Sequence, residues 1–407
     1  MVLASLLIIT TIAVEFAYNS HVAYELASSQ RDQLAAYYLA RSAINLQRVE
    51  LKIEKQLRAQ YAGQLGQVAN SGITSEPFCK QMPLSTGLLK GLSSGLLTGG
   101  PAKPDEATKK EETPAPEAKK DLEKGSPAQV VEGAKDFLDF NGDFEAVCDT
   151  EERKINLNIF RADPLAASGT QTGTQQAVTP QSLYDDQKSM LYALLMQKEY
   201  ESIFKGRPDE VKKVVNAIAD WADKDDQINE APGLAGGAED SLYTSYGYKV
   251  KNGKYASVAE ILLVAGVGDD LYQKLAPELT VYGDNKINVC QASAPMVRAY
   301  ITKFAQTNPG IPTISPNDTS AWAKVETALQ LVCNTPAPQP VNVAAAITSA
   351  LGVPPVPALA SQISTVNRFY RIEATGEVNG SRVRLVTILD GGQIGAAAWK
   401  PLYFRVE

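Results

Sequence analysis

The sequence opens with the apolar stretch MVLASLLIITTIAV (residues 1–14), and its first charge is Glu15. From Ala17 to Ala62 the chain has no proline and no glycine, and helix-forming residues dominate. These features predict one continuous helix over residues 1–62, which would be about 90 Å long at about 1.5 Å per residue. Every later element must then either pack on this helix or extend beyond it.

The predicted helix changes character along its length. Leu34, Tyr37, Ile44 and Leu51 recur at intervals of three and seven, which places them on one apolar stripe. Charged residues cover the rest of that part: Arg31, Asp32, Arg41, Arg48, Glu50 and Lys52. The apolar start is shorter than the ~20 residues of a typical transmembrane helix and nearer to a signal-peptide core. Because a cleaved signal peptide does not continue into a long helix, we expect a retained anchor, with its membrane part at about 1–20.

Composition excludes several classes of function. The 407 residues carry a net charge of −7, whereas a nucleic-acid binder normally presents a basic face. His21 is the only histidine, which removes most histidine-based catalysis and zinc sites from the rest of the chain. The P-loop and HExxH patterns do not occur. The residue inventory permits mainly a pair of carboxylates acting as acid and base.

The four cysteines are Cys79, Cys148, Cys290 and Cys333. None forms a CxxC pair, which argues against a zinc knuckle or a thioredoxin-type site. An even number of widely spaced cysteines suits an oxidising compartment, although four buried free thiols fit the sequence as well. The membrane segment favours disulfides in the periplasm. We expect pairing within each block of the chain, Cys79 with Cys148 and Cys290 with Cys333.

The remaining segments alternate between strand-like and helical patterns. A β-hairpin is predicted over residues 143–160, and a second hairpin turns at Val378–Gly380. A last strand is predicted over residues 399–406. Residues 99–127 are rich in Pro, Lys and Glu and are predicted to be disordered, and a Gly/Thr/Gln-rich loop covers 162–180.

The order of the blocks is long helix, strands, helical block and strands. The simplest fold of this kind is α+β, with the long N-terminal helix on an antiparallel sheet and a large all-α domain inserted between strands. The predicted domains are an anchor and stalk helix at 1–62, a β domain at 63–181 and 358–407, an inserted helical domain at 182–335, and a Pro-rich linker at 336–357.

One segment is unusually acidic. Asp220, Asp223, Asp225 and Asp226 place four carboxylates within seven residues, and Glu239–Asp240 follow after a Gly/Pro-rich loop. Like charges this close repel each other unless a cation lies among them, and Ca²⁺ prefers several oxygen ligands in flexible geometry. The spacing does not fit an EF-hand. An acidic helix cap with a solvated loop explains the pattern equally well at this point.

A Gly-Val-Gly turn at residues 266–268 invites a different interpretation. A glycine turn between two short helices can hold a DNA phosphate at its backbone amides. Asp269 and Asp270 follow at once and would repel a phosphate. We therefore interpret this segment as two helices packed around a turn, with no nucleic-acid partner. Trp221 and Tyr243 are interpreted as core anchors of the acidic loop.

Three groups of residues resemble the K-type minor pseudopilins of type II secretion systems. They are the acidic turn and strand EERKINLN at 151–158, the acidic segment DWADKD at 220–225, and the segment SVAEILLVAGV at 257–267. Further similar residues are Gly237–Asp240, Tyr243, Leu279–Tyr282 and Lys286–Val289. With the stalk and the C-terminal strands, the resemblance covers nearly the whole chain except the loops.

This resemblance implies a pilin-like fold and a particular place in an assembly. In such proteins a prepilin peptidase cuts before the apolar stretch, and we expect the numbering to begin at or near that terminus. Most pseudopilins carry at position five a glutamate that meets the terminal amine of the neighbouring subunit. Ser5 stands here, as expected for the K-type subunits, which lack this glutamate because no subunit lies ahead of them.

The resemblance also implies partners, a location and a cofactor. K-type subunits are structural proteins of the pseudopilus tip that start assembly with I- and J-type minor pseudopilins. Expected contacts also include the lipid bilayer before assembly, the inner-membrane assembly platform, and secreted substrate or the outer-membrane secretin. The chain would be a single-pass inner-membrane protein with its bulk in the periplasm. The family binds structural calcium in the helical domain, and the matching ligands here are Asp220, Asp223, Asp225, Glu239 and Asp240.

Two alternatives remain open from the sequence. A minor pilin that primes a type IV pilus is a close relative with the same kind of anchor. A membrane-stalked periplasmic carboxylate hydrolase would use Asp223 and Glu239 as its acid and base, although the site holds more carboxylates than such a mechanism needs. The non-enzymatic interpretation is the one that the family resemblance favours.

Overall fold

A computed structural model describes residues 2–65, 74–91, 141–161, 180–228, 237–392 and 399–407. The helices are α1 (Val2–Leu65), α2 (Phe78–Gln81), α3 (Pro180–Leu195), α4 (Glu201–Phe204), α5 (Pro208–Asp220), α6 (Asp269–Leu275), α7 (Ala294–Thr307), α8 (Thr319–Cys333), α9 (Pro340–Ala350) and α10 (Pro357–Gln362). The strands are β1 (Leu84–Ser85), β2 (Asp143–Thr150), β3 (Ile155–Asn156), β4 (Leu279–Thr280), β5 (Phe369–Val378), β6 (Ser381–Asp390) and β7 (Lys400–Val406). The prediction of mixed helices and antiparallel sheet with one long N-terminal helix is confirmed.

Helix α1 has two parts with different surroundings. Ala36, Ala40, Ala43, Ile44 and Leu51 are buried against the sheet, and their spacing follows one helix face. Toward the N-terminus, the large apolar side chains are exposed on all sides. Among the described helices, α1 alone is long and apolar enough to cross a membrane, judged by length and composition. This helix fits a single-pass membrane anchor.

Five antiparallel strands form the sheet under α1, in the order β1-β2-β5-β6-β7. β5 and β6 form the hairpin predicted at Val378–Gly380. Asn379 and Gly380 have φ angles of 48° and 83°, the left-handed conformation that a two-residue hairpin turn of this type requires. The predicted last strand is also confirmed, as β7 at an edge of the sheet.

Helix α1 and β5 meet at backbone contact distance. A Cβ atom on Gly376 would lie 2.1 Å from the carbonyl oxygen of Ala36 and 2.9 Å from the amide nitrogen of Ala40. Both are backbone atoms of α1, so they cannot move aside as a flexible side chain would. The glycine and the two alanines together allow the helix to lie this close to the sheet.

Part of the predicted hairpin over residues 143–160 is wrong. Its first half is β2, but the chain then forms a 3-10 turn at Glu151–Arg153 and leaves the sheet. β3 pairs in parallel with β4 in a separate two-stranded sheet. The physical reason is that Ile155, Leu157 and Phe160 are fully buried in a different hydrophobic core. Apolar residues of β2 are buried under α1, and apolar residues after residue 154 are buried in the second core, so the alternating pattern does not mark one hairpin.

This second core is built mainly from helices. Residues 151–368 leave the sheet after β2 and return at β5, although these two strands are neighbours. The core extends from Ile155 to Ile363, so it begins before the predicted boundary at residue 182. Val264 and Leu271, on either side of the Gly-Val-Gly turn, are buried in it. The helical block therefore packs around that turn.

The predicted Pro-rich linker at 336–357 is wrong as a linker, because helix α9 lies within it. Pro340 occupies the first turn of α9, where proline needs no hydrogen-bond partner. Val343, Ala344 and Ile347 are buried in the second core against α8. Two of the six prolines in this segment, Pro340 and Pro357, stand at the starts of α9 and α10. The predicted disordered segment 99–127 and most of the loop at 162–180 lie outside the described residues.

Two adjacent glutamates join the sheet to the helical core. Glu152 Oε1 accepts hydrogen bonds from the backbone amides of Arg368 and Phe369, each at 2.6 Å. Glu151 Oε1 accepts one from Arg371 Nε at 2.7 Å. Burial raises the pKa of Glu152 to about 7, although the two amides act in the opposite direction. These contacts close the base of the helical block where the chain leaves and re-enters the sheet.

Two disulfides pair the cysteines as the sequence analysis favours. Cys79 and Cys148 join α2 to β2, with their Cα atoms 5.7 Å apart. Cys290 and Cys333 lie within the helical block, with Cα atoms 5.3 Å apart. Each bridge therefore lies within one part of the fold and shortens the loops of its unfolded chain.

The helical block is attached at the end of the sheet farthest from the apolar part of α1. Asn379 Nδ2 donates to Asp32 Oδ2 at 3.0 Å, and Lys55 Nζ donates to the carbonyl of Gly391 at 2.5 Å. Helix α1 therefore runs parallel to β6. The last residues of β2 and the first residues of β5 lie at the same end of the sheet as the last residues of β6. Residues 151–368 consequently extend from the end of the sheet that lies near the C-terminal part of α1.

We predict that Gly376→Ala destabilises the sheet domain by roughly 3 kcal/mol, because the added methyl group would collide with the backbone of α1. Thermal unfolding of the full chain in detergent, followed by circular dichroism, measures this effect. Gly268→Ala is the matched control, since a Cβ there meets no atom within 4 Å and its φ is an ordinary −100°. Equal melting temperatures for the two variants would refute the backbone contact.

Candidate metal centre

The candidate site begins at the C-terminal end of α5. This helix starts with Pro208 in its first turn and buries one apolar face that includes Val211, Val215 and Ile218. That packing holds Asp220, the last residue of the helix, inside the core. Asp223 follows after one further turn and is also buried. Two carboxylates are thus drawn inward by the apolar residues around them.

The third carboxylate arrives from the far side of the acidic loop. Gln227 and Ala238 form a single antiparallel bridge that closes the loop. The amide of Glu239 donates to the carbonyl of Asp226 at 3.2 Å, and a 3-10 turn begins at Glu239. This short backbone pairing places the Glu239 side chain beside the end of α5. Residues 229–236 of the loop lie outside the described part of the chain.

Three carboxylates converge in this site. Oxygen atoms of Asp220, Asp223 and Glu239 all lie within 4.8 Å of one another, and each residue is only 1% exposed. Both carboxylate oxygens of Glu239 are buried without a hydrogen-bond donor among the described residues. Tyr184 Oη donates to Asp223 Oδ2 at 3.0 Å. A buried carboxylate without a donor is costly, so the geometry suits a cation between these oxygens.

The electrostatic field of the site points the same way. Burial, and then the nearby charges of Asp223 and Asp220, raise the pKa of Glu239 to about 9. Asp225 and Asp226 add to this effect. The carboxylate of Asp220 also lies at the negative end of the α5 dipole, where a cation rather than an anion is favoured. All of these contributions would be offset by one bound divalent cation.

Two predicted ligands lie outside the three-carboxylate group. Asp225 is half-buried, and its Oδ1 accepts a hydrogen bond from the amide of Gln227 at 2.9 Å. Asp240 pairs with Lys249 at 3.1 Å and accepts a hydrogen bond from the amide of Val250. Of the five predicted ligands, the structure brings together Asp220, Asp223 and Glu239 and places the other two at the rim.

Two supporting residues were not found from the sequence. Tyr184 reaches Asp223 from α3, and Asn252 Nδ2 donates to the Asp225 carbonyl at 2.7 Å and to Asp226 Oδ1 at 2.9 Å. Both lie more than twenty residues along the chain from their acceptors. No local pattern marks a tyrosine or an asparagine for such a role, so only the folded chain identifies them.

Aromatic residues close one side of the site. Trp221 and Tyr243 are buried, with ring centroids 5.5 Å apart. Tyr248 packs against both rings, at 6.3 Å from Trp221 and 5.7 Å from Tyr243. The prediction that Trp221 and Tyr243 anchor the core of the loop is confirmed.

A family model covers this whole region. Residues 154–284 match the family described as type II secretion system (T2SS), protein K, and the match includes β3, β4 and all five predicted ligands. This part of the chain is similar to the type II secretion protein K family. This family consists of minor pseudopilins, which are structural components of the secretion system. The matched residues lie within the helical block, outside the five-stranded sheet and α1.

Other comparisons add less. One chain similar to this one comes from the crystal structure of the GspK-GspI-GspJ complex of the type 2 secretion system of enterotoxigenic Escherichia coli. Its TM-score is 0.40 and its sequence identity 15%, and the match covers 66% of this chain and 80% of that chain. No curated protein matches. The similarity to the protein K family therefore rests on residues 154–284.

We predict that Glu239→Gln stabilises the metal-free protein by roughly 2 kcal/mol. The amide removes a buried acid whose pKa is raised to about 9 and therefore removes the cost of holding it beside two other carboxylates. Chemical unfolding in excess EDTA at neutral pH measures the change.

Glu260→Gln is the matched control for this substitution. Glu260 accepts a hydrogen bond from Lys251 Nζ at 2.6 Å, so the same exchange should leave stability unchanged or lower it. If Glu239→Gln also lowered the stability of the metal-free protein, the three carboxylates would not be in electrostatic conflict.

Proposed function

We propose that this chain is the tip subunit of a type II secretion pseudopilus, where it starts and caps assembly with I- and J-type minor pseudopilins for protein export. The observation that carries the proposal is the attachment of the helical block. The block extends from the end of the sheet near the C-terminal part of α1. The exposed apolar part of α1 lies at the opposite end of that helix. From Phe16 to Lys55 the helix rises about 60 Å.

This separation gives the two ends of the molecule different tasks. Consecutive residues Leu6, Leu7, Ile8 and Ile9 point in different directions around α1, and all are more than half exposed. A helix that is apolar all round requires a bilayer or a bundle of other apolar helices. We infer that α1 anchors the subunit in the inner membrane first and packs with partner helices after assembly.

The far end of the molecule is suited to a terminal position. A helical block above the sheet would occupy the space in which the next subunit of a filament has to dock. Arg58, near the end of α1, donates to the carbonyl oxygen of Pro336 in this block, and also to the carbonyl oxygens of Thr74 and Glu76 in the segment before α2. Because the block is held by several contacts, it would not swing aside to admit another subunit. As part of this proposal, α1 and the sheet form a pilin-like domain, and the helical block is an insertion in it.

The I- and J-type partners follow from the family and from the surface of α1. The similar E. coli protein was solved in a complex named GspK-GspI-GspJ. Exposed apolar side chains continue up α1 beyond the first third, at Leu34, Tyr38, Val49 and Ile53. These positions lie above the proposed membrane segment, where other helices rather than lipid would cover them. The protein K match favours a secretion pseudopilus over a type IV pilus.

We also propose that Asp220, Asp223 and Glu239 hold a structural Ca²⁺ ion. Carboxylate oxygens are its preferred ligands, and no imidazole or thiolate belongs to the group. Asp225 and Asp240 would contribute from the rim. When bound, the ion would supply the charge that the three acids lack and fix the acidic loop to the end of α5. The role is structural rather than catalytic.

The two disulfides support a periplasmic location for the bulk of the chain, since disulfides form and persist in oxidising compartments. The inner-membrane assembly platform, the prepilin peptidase, and secreted substrate or the outer-membrane secretin remain proposed contacts that follow from the family role.

We predict that the full chain, co-expressed with the I- and J-type minor pseudopilins of its own system, forms a complex with one copy of each subunit. Light scattering of the detergent-purified complex measures the stoichiometry. A capping subunit adds once, so excess chain should not lengthen the assembly. Absence of a complex, or repeated addition of this chain, would exclude the tip assignment.

We predict that Ca²⁺ raises the melting temperature of the wild-type chain relative to EDTA and that Mg²⁺ does so less, because a bound ion stabilises the folded state. In Asp223→Asn and Glu239→Gln the shift with Ca²⁺ should be lost. Asp269→Asn serves as the control, because Asp269 is an exposed acid at the start of α6, outside the group. An unchanged wild-type melting temperature with Ca²⁺ would contradict the metal site.

A further inference from the structure

A basic stripe runs along one side of α1. Arg41, Arg48, Lys52 and Lys55 lie within about 60° of one another around the helix axis, at about 100° per residue. Lys55 Nζ donates to the carbonyl of Gly391, just after β6. This contact shows that the stripe faces the side of the sheet where the chain passes from β6 toward β7.

Three of these cations have no ion-pair partner among the described residues. Arg41 is exposed, and Arg48 and Lys52 are half-buried. The acids of the neighbouring strands already have partners on the opposite face: Glu373 pairs with Arg384, and Glu407 pairs with Arg384 and Arg405. Among the described residues, Arg41, Arg48 and Lys52 therefore form a row of positive charge beside the sheet with no carboxylate paired to it.

An apolar strip from β7 lies next to this row. In the antiparallel register, Phe404 is opposite Thr387 and Val406 is opposite Leu385. Leu385 is fully buried in the core under α1, so Phe404 and Val406 point to the same side of the sheet as α1. They are nevertheless 46% and 54% exposed, because α1 packs mainly on β5 and β6. Leu402, at the irregularity in this strand pair, is 45% exposed.

We propose that the groove between the basic stripe and β7 is a docking site for an acidic amphipathic helix of a minor pseudopilin partner. The apolar face of that helix would cover Phe404 and Val406. Carboxylates on its flank would pair with Arg41, Arg48 and Lys52. This inference rests on the proposed function and adds which side of α1 the partner occupies and which chemistry selects it.

Charge complementarity and continuity of surface favour this occupant. Arg41, Arg48 and Lys52 are spaced seven and four residues apart, so a parallel or antiparallel helix with Asp or Glu at the matching intervals would meet all three. From Arg41 to Lys52 these three cations span about 16 Å, or about three helical turns. The groove continues the direction of the exposed apolar part of α1, so one long partner helix could cover both surfaces. Cations in such a position increase association rate and selectivity as well as affinity.

The test uses the full chain in detergent with the I- and J-type minor pseudopilins of the same system as the probe. Affinity is measured by titration at low and high salt. We expect Arg48→Glu/Lys52→Glu to weaken binding about tenfold at low salt. Wild-type binding should weaken as salt is added, and the variant should lose most of that salt dependence. Arg48→Lys should retain binding.

Lys324→Glu is the matched control, since it reverses an exposed cation on α8, in the helical block. It should bind as the wild type does. All variants should share the wild-type melting temperature, which shows that the fold is intact. Phe404→Ser, a change at a half-exposed position, should weaken binding without removing its salt dependence.

The outcomes separate two failures. If the wild type forms no complex with these partners, the proposed function and this inference both fail. If the wild type binds but the charge reversal has no effect, the inference alone is overturned. It is also overturned if the wild type associates with itself and the same reversal abolishes that association, because a second copy would then be the occupant.

Discussion

The contact between α1 and β5 determines how the rest of the molecule is arranged. Gly376 has no side chain, and Ala36 and Ala40 have small ones, so two backbones meet without intervening atoms. Hydrogen bonds from Asn379 to Asp32 and from Lys55 to Gly391 hold the helix parallel to β6. Once that direction is set, the apolar part of α1 extends from one end of the sheet and the helical block from the other. A subunit that must be anchored at one end and exposed at the other requires this polarity.

The helical block depends on a different constraint: its buried carboxylates need hydrogen-bond donors or a cation. Glu152 is satisfied by the two backbone amides of the returning chain, and it thereby closes the junction with the sheet. Glu239 has no such donor among the residues that the structure describes. A buried glutamate therefore has hydrogen-bond donors at the junction but none in the acidic site, among the residues that the structure describes. An external cation is the simplest compensation where the protein supplies none.

The two exposed features of the stalk also differ in physical kind. The first third of α1 is apolar all round and would associate with lipid or with any apolar helix, so it provides affinity with little selectivity. The basic stripe beside β7 is directional and sensitive to salt, so it would discriminate among partners. A subunit in the proposed tip position would need both, because it would have to leave the bilayer and yet join particular neighbours. The protein K family match is consistent with such an assembly role.

The sequence by itself determined the elements whose signals are local. Continuous helix formers predicted α1, Asn379 and Gly380 predicted the hairpin turn, and clustered acids predicted where charge would accumulate. Tertiary structure decided what depends on distant residues. Ile155 joined a separate core instead of a hairpin, Pro340 began α9 instead of a linker, and only Asp220, Asp223 and Glu239 converged. The physical reason is that burial and electrostatic partners are set by the whole fold, whereas helix and turn preferences act over a few neighbouring residues.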